Sequence, residues 1–216
     1  MIREFGWIDV LYLVYAMRWT LALTATAFIG GAVIGILVAV LRVSRIWPLR
    51  AMAVVYTQAI QGTPLLVLLF LFFFGLSIVG LPVLPWVAAA LSFSIYAGAF
   101  LGEIWRGALQ SIPKTQWEAG SALGLGFMEQ LRYVIVPQAV RIAIPPTVGF
   151  LVQLIKNTSL AATIGFVELT HEGQLTTAST FQPFAVYLTV AFLYFLICFP
   201  LTQLSRHLER RTHGTA

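Results

Sequence analysis

Charge is what this chain has least of. Of 216 residues only 10% are charged and 59% are hydrophobic, and mean hydropathy is +0.89. A soluble domain carries about 25% charged and about 45–50% apolar residues. A water-exposed globule of this composition would lack the polar surface to cover itself, so the bilayer is the expected solvent. Cysteine is nearly absent: Cys198 stands alone in an apolar run, which excludes an internal disulfide framework and suits an inert filler. Histidine is limited to His171, His207 and His213. With no H-E-x-x-H and no cysteine–histidine cluster, no metal site is expected. A phosphate-binding G-x-x-x-x-G-K-S/T is missing, so this chain is not expected to bind ATP itself. No serine–histidine or paired-carboxylate arrangement lies at matching depth, which argues against intramembrane catalysis. The net charge of +5 comes without a basic stripe interleaved with aromatics, which excludes a nucleic-acid partner. The opening MIREFGWIDVLYLVYAMRW lacks the basic, apolar and small-residue succession of a cleavable leader.

What is present is long apolar runs. A span needs about 20 apolar residues, and five runs qualify: 20–40, 51–80, 86–105, 139–155 and 184–204. Residues 1–19, with Trp7, Tyr12, Tyr15 and Trp19, suit an interfacial helix at the headgroup level. The expectation is one all-α membrane domain over 1–216 with about five transmembrane helices. Ten of the thirteen basic residues fall in three regions: Arg42, Arg45 and Arg50; Arg106, Lys114, Arg132 and Arg141; Arg206, Arg210 and Arg211. Five spans put those regions on one side, and the positive-inside rule makes that side cytoplasmic. The N-terminus is then expected outside, with Arg3 and Arg18, and the C-terminus in the cytoplasm.

Between the third and fourth spans lies a polar insert, 111–137, punctuated by Gly124, Gly126 and Pro137. Pro113 suits a helix start, and Gln116, Glu118, Ala119 and Ala122 are compatible with a helix. Gly124 supplies a left-handed end, and a second helical piece is expected from Phe127 to Val134. Two short helices on the cytoplasmic face have two uses: resting on lipid headgroups, or filling a groove of a soluble partner.

The spacing goes further. Glu118-Ala119-Gly120, three residues, Gly124, nine residues, then Val134-x-Val136-Pro137 resembles the EAA motif of ABC-importer permeases, E-A-A-x3-G-x9-I-x-L-P, with Gly120 for the third alanine and valines for isoleucine and leucine. Gln61-Gly62-Thr63-Pro64-Leu65-Leu66 is similar to the R-G-T-P-L-L stretch of the polar amino-acid uptake subfamily. The run Ala97 to Gly107 resembles its A-Y-x-A-E-I-x-R-G stretch, and Lys156-Asn157-Thr158-Ser159-Leu160 its K-D/N-T-S-L segment. The resemblance covers about residues 18 to 210. It implies a type I ABC importer permease in the bacterial inner membrane, moving a polar amino acid by alternating access. The insert would be the coupling helix, with Glu118, Ala119, Gly120, Gly124 and Pro137 as its ATPase-coupling residues. Two cytoplasmic ABC ATPases, a second permease (identical or homologous) and a periplasmic binding protein would be the protein partners. No cofactor is implied on this chain; ATP and magnesium would sit on the ATPases. An ATP-independent carrier or channel, or a membrane scaffold, is the competing reading.

Other polar residues at membrane depth are expensive and favour the bundle interior or a cavity. Gln61 and Thr63, beside the Pro64 break, are candidate pathway residues, with a structural kink as the alternative. Lys156, Asn157, Thr158 and Ser159 bring donors suited to a carboxylate; snorkelling and helix termination are the alternative. Glu168, in a turn with His171 and Glu172, is a candidate for an ammonium or cationic group. Lys156 favours an anionic substrate and Glu168 a cationic one, so basic, acidic and amide amino acids all stay open. Glu103 and Arg106 are three apart on one helical face and are expected to pair, bracing the insert. Gly30, Gly31 and Gly35, with Ala27 and Ala39, give the first span a small-residue face for close helix packing.

Overall fold

The computed structural model describes residues 4–44 and 46–213, with side chains through Arg210. Arg3 and Arg45, and the side chain of Arg211, lie outside the described residues. Among the described residues every regular element is helical. Helix α1 runs Trp7–Val43, α2 Trp47–Gln61 and α3 Leu65–Phe70, which continues through a π turn, Leu71–Gly75, into α4, Leu76–Ile78. Next come α5, Pro85–Gln110, and the two insert helices, α6 Lys114–Ala122 and α7 Phe127–Gln130. A second π turn, Leu131–Ile135, leads into α8, Val136–Asn157, and on into a 3-10 segment, Thr158–Ile164. Helices α9, Leu169–Thr180, and α10, Pro183–His213, close the chain. Four stretches are long and apolar enough to cross a membrane: Trp7–Val43, Pro85–Gln110, Phe127–Ile164 and Pro183–Arg210. The bent pair Trp47–Gln61 and Leu65–Ile78 is apolar enough to make a fifth if its two pieces form one broken span.

The headgroup helix expected over 1–19 and the first span are one helix here. Its buried stripe, Leu13, Ala16, Thr20, Leu23, Ala27, Gly31, runs across residue 20 without a change of phase. At 37 residues and 1.5 Å rise it is about 55 Å long, well beyond one bilayer core. The second expected span is broken instead. Gly62 ends α2, its N–H bonding Gln58 at 2.9 Å. Pro64 carries no N–H and disfavours helical backbone at Thr63, and the two pieces meet at 100°.

Helix α1 packs most extensively on α5, and the seam explains its glycines. Gly31 faces Ala97, and Gly98 and Gly102 face Ile34 and Val38. A Cβ on any of the three would fall closer than 3.0 Å to its neighbour. Facing small residues let two backbones approach, which is how helices associate where lipid tails are as apolar as leucine. The main core gathers Leu23 and Ala27, Leu65 and Leu69, Phe93 and Ala97, and Leu154, so α1, α3, α5 and α8 share it. The insert end has its own core around Ala108, Ile112, Ile135 and Ala139.

Candidate functional site

Two polar regions stand out against this apolar frame. The first is the insert. Helix α6 ends in a Schellman motif: Leu125 N–H bonds Gly120 O at 3.1 Å and Gly124 N–H bonds Ser121 O at 3.0 Å. That geometry needs left-handed backbone, and Gly124 sits at φ +76°. The chain then turns back so that Gln130, 5% exposed, reaches under α6. Its Nε2 donates to Leu125 O at 2.7 Å and Ser121 Oγ at 3.0 Å. A Cβ at position 120 would sit 2.9 Å from Gln130 Cγ, which is why glycine stands where the motif has alanine. Trp117 stacks on Phe127 at 5.6 Å, bordering a hollow of about 620 Å³ lined also by Ser121, Leu125 and Gln130. Glu118 and Ala119 are on the other side of α6, exposed. Glu118 has no hydrogen bond or ion pair among the described residues.

Helix α7 starts with Glu129 accepting from Gly126 N–H at 2.8 Å, and it does not stop before Pro137 as the sequence suggested. Lacking an N–H, Pro137 cannot bond the carbonyl four residues back; the ladder slips to the π turn Leu131–Ile135 and continues. The insert is therefore joined to α8 as one helical stretch.

At the insert end of α1 and α5, Glu103 bridges two cations. Its carboxylate accepts from Arg106 and, at 2.7 Å, from Arg42, while Arg106 also contacts Gln110. The expected pair is thus a triad that ties α1 to α5; Arg42, whose partner is 61 residues away, had no local signal.

The second region lies where two helices break. Gln61 Nε2 donates to Ala99 O at 3.3 Å, and Thr63 Oγ1 to Ala59 O at 2.8 Å. Opposite, α8 changes to 3-10 at Asn157 and Thr158. Leu65 and Leu69 of α3 and Ala161 and Ile164 of the 3-10 segment belong to one core, so the two breaks are neighbours. Thr158 is fully buried with its hydroxyl on Ile155 O at 2.7 Å, and Ser159 Oγ bonds Lys156 O at 2.7 Å. These two hydroxyls satisfy the helix end. Lys156 is exposed and Asn157 half-buried. Gln153 Nε2 donates to the hydroxyl of Tyr96 on α5 at 3.4 Å, and Asn157 lies one turn further along α8. Tyr96 and Gln153 were not singled out from sequence, although Gln153 is a lone amide in an apolar run.

Glu168 requires a correction: it lines no open surface. It is fully buried and is the N-cap of α9. Oε1 accepts from the N–H groups of Thr170 (2.7 Å) and His171 (3.1 Å). Oε2 accepts from Tyr194 Oη (2.8 Å) and Thr20 Oγ1 (3.2 Å). With four donors around it, the carboxylate fastens α1, α9 and α10 together. Burial pushes its pKa above the usual carboxylate range, and the four hydrogen bonds pull it back in part. His171 and Glu172 lie in the first turn of α9. An apolar cleft of about 540 Å³ between α1, α5 and α8 has Thr147 as its one polar lining residue. Thr147 already pairs with Trp105 Nε1 at 3.1 Å, so the cleft offers nothing to a zwitterion. Among the described residues no group of metal-ligating side chains exists.

The fold is thus an all-helical bundle of membrane-crossing length, with a polar two-helix insert whose Glu118 is unpartnered among the described residues and with two neighbouring helix breaks inside. The chain belongs to the family of binding-protein-dependent transport system inner membrane components, whose model matches residues 31–214. It is 40% identical over 194 residues to the L-cystine transport system permease protein of Bacillus subtilis, covering 89% of this chain and 83% of that one. It is 37% identical over 207 residues to the glutamine transport system permease protein of Escherichia coli K12, covering 95% and 94%. Among solved structures, an amino acid ABC transporter with histidines matches at TM-score 0.89 and 29% identity, covering 97% of this chain and all of that one. The methionine ABC transporter in inward-facing conformations has the same fold, at TM-score 0.74 and 23% identity. This chain is accordingly an amino-acid ABC-importer permease, a multi-pass inner-membrane protein that is not itself the catalytic subunit.

Proposed function

We propose that the insert couples two cytoplasmic ABC ATPases, which hold ATP and magnesium, to a path for a polar amino acid through the spans. The observation that carries this is the outward face of α6: Glu118 and Ala119 are exposed and unpartnered, while the opposite face is fixed by Gly120 and Gln130. A helix of 9 residues is too short to hold itself in water; its shape comes from Gln130 and the Trp117 stack, which present it ready-made to a groove. The charge distribution supports a cytoplasmic insert and C-terminus with the N-terminus outside. A second permease, identical or homologous, would cover the exposed polar side of α2 and α8, and a periplasmic binding protein would deliver substrate at the far end. Gln61, Thr63, Lys156 and Asn157 would line the path, and Thr158 and Ser159 would hold the backbone break beside it. Discontinuous helices at mid-depth are where transporters bind polar cargo. Relatives named for cystine and glutamine support an amino acid of this kind. In the cycle, closure of the ATPases draws the α6 helices together and opens the spans outward; hydrolysis restores the inward state.

The test is the ATPase rate of the reconstituted complex with and without loaded binding protein. Glu118→Lys should abolish the stimulation, yet leave the thermal stability of the permease within about 0.5 kcal/mol, as for an exposed residue without partners. Full stimulation in that variant would refute the coupling role.

A further inference from the structure

We propose that the apolar cleft between α1, α5 and α8 seats one acyl chain of an anionic phospholipid from the leaflet on the insert side, and that Arg132 and Arg141 hold its phosphate.

The shape of the cleft selects the occupant. Its floor is made of small buried residues, Ala39, Ala108 and Ala143, and its rims of large exposed ones, Ile36, Val140 and Ile144. The α8 wall from Val136 to Val148 is about 18 Å long at 1.5 Å rise per residue. One leaflet of a hydrocarbon core about 30 Å thick spans about 15 Å, so the cleft is one leaflet deep. Its volume of about 540 Å³, spread over about 18 Å, leaves a furrow about 6 Å across. A helix with its side chains needs about 10–12 Å, so no helix of a second copy can lie in it. An extended methylene chain can, and it needs no polar partner, which the cleft does not offer: Thr147 is already taken by Trp105.

Lipid tails are as apolar as leucine, so a chain gains little by leaving the bilayer for the cleft, and preference for one lipid has to come from its headgroup. Positive charge gathers at the insert end. Arg132 lies one turn before Val136, and Arg141 follows Val140. Both are exposed, and neither has an ion pair or hydrogen bond among the described residues. Glu129, three residues before Arg132, is engaged by Gly126 N–H at 2.8 Å. Glu103 is shared by Arg42 and Arg106, so that cluster also keeps a surplus of positive charge. Tyr133 is exposed, with its ring 5.6 Å from the Arg132 guanidinium, and exposed tyrosines favour the headgroup level. At the other end, around Ile36 and Val148, no charged residue lies within a turn on either helix. Guanidinium groups match phosphate through paired N–H donors, and each basic residue at an anionic lipid surface strengthens binding about fivefold.

The experiment is native mass spectrometry of the purified full-length permease, stripped of lipid and titrated with dioleoyl phosphatidylglycerol or dioleoyl phosphatidylcholine. The anionic lipid should bind at one per chain, at least about tenfold tighter than the zwitterionic one. Arg132→Gln together with Arg141→Gln should bring the two lipids within about twofold of each other. Val140→Trp, a change at an exposed rim, narrows the furrow and should weaken both lipids at least about tenfold. Equal affinities in the unaltered permease would overturn the proposal, as would an undiminished preference in the double variant. Unmoved binding in Val140→Trp would overturn it by placing the chain elsewhere. Loss of a permease dimer in that variant, with lipid binding intact, would overturn it by giving the cleft to a second copy. Neither nucleotide nor amino acid enters the measurement, so its outcome is independent of the coupling reading.

Discussion

Replacing Gly98 by alanine tests whether the α1–α5 seam is as tight as its geometry. A methyl group at position 98 would meet Ile34 Cγ2 and Ile34 Cβ, the latter at 2.6 Å, with Tyr56 Oη at 3.2 Å. Ile34 is β-branched and stiff at χ1, and its Cβ is fixed to the backbone, so rotation offers no escape. Reaching an ordinary carbon–carbon contact of about 3.6 Å needs the helices to part by about 1 Å. That displaces the flanking contacts of Gly31 on Ala97 and Gly102 on Val38. Overpacking of this kind costs about 1–3 kcal/mol. The control is Gly107→Ala, in the same helix, where an added Cβ meets nothing within 4 Å and alanine improves helix propensity by up to about 1 kcal/mol. Propensity is common to both variants, so the difference isolates the seam. At about 2–4 °C per kcal/mol for a chain of this size, Gly98→Ala should melt about 2–12 °C below Gly107→Ala. Tryptophan fluorescence of the detergent-purified permease reads this directly. Coincident melting curves would refute close approach as the reason for glycine.

Three further outcomes follow from other contacts. Gln130→Ala removes the support under α6 and leaves Leu125 O without its side-chain donor, at about 1–3 kcal/mol; amide exchange over residues 120–126 should quicken about ten- to hundredfold, and unchanged exchange would show that the Schellman turn suffices alone. Glu103→Gln leaves Arg42 and Arg106 facing each other, whereas Arg106→Gln keeps the Arg42 bond. The first should cost more, by about 1 kcal/mol for partly exposed groups, with a gap that narrows in high salt; equal denaturation midpoints would contradict the triad. Burial raises the Glu168 pKa above its unfolded value, so the folded protein holds that proton more tightly. Its stabilising effect is complete below the ordinary carboxylate range and fades as pH rises through the folded value. Unfolding at pH 5 and pH 7.5 should therefore show the native chain gaining on Glu168→Gln as pH falls; the opposite slope would mean that the four donors outweigh burial.

How much of this was legible in the sequence depended on how local the cause is. The insert was readable because Pro113, Gly124 and the spacing to Pro137 act on their own neighbours, and the left-handed Gly124 needs nothing from the rest of the chain. The second insert helix runs past the expected end at Val134 because a π turn, Leu131–Ile135, lets the hydrogen-bond ladder step around Pro137. The boundary at residue 20 followed a change in composition, from aromatic to aliphatic, that the buried stripe of α1 ignores. Glu168 was misread for a tertiary reason. An isolated acid in a polar turn looks available, but its acceptors are filled by Thr20 and Tyr194, 148 and 26 residues away. Arg42 joined the Glu103 pair the same way. Gly120, a departure from the motif, became intelligible once Gln130 was seen beneath it.

The distribution of tight and loose contacts also bears on how an importer of this shape can work. Helices α1 and α5 interlock through facing glycines and are tied at the insert end by Arg42 and Glu103, so they behave as one unit. Helix α8 is joined to the insert without a gap, through the π turn, and passes Gln153 before it changes to 3-10 at Thr158. Under the proposed mechanism, movement of α6 therefore has a continuous helical route to the Tyr96 region, while the α1–α5 pair supplies a frame against which α8 can shift. Two hydrogen bonds join α8 to α5, Trp105 to Thr147 at 3.1 Å and Gln153 to Tyr96 at 3.4 Å, the second of them long. Those that fasten the frame are short, such as Arg42 to Glu103 at 2.7 Å. The contact that a shift of α8 gives up most cheaply is therefore Gln153 to Tyr96, while Arg42 and Glu103 keep the frame closed.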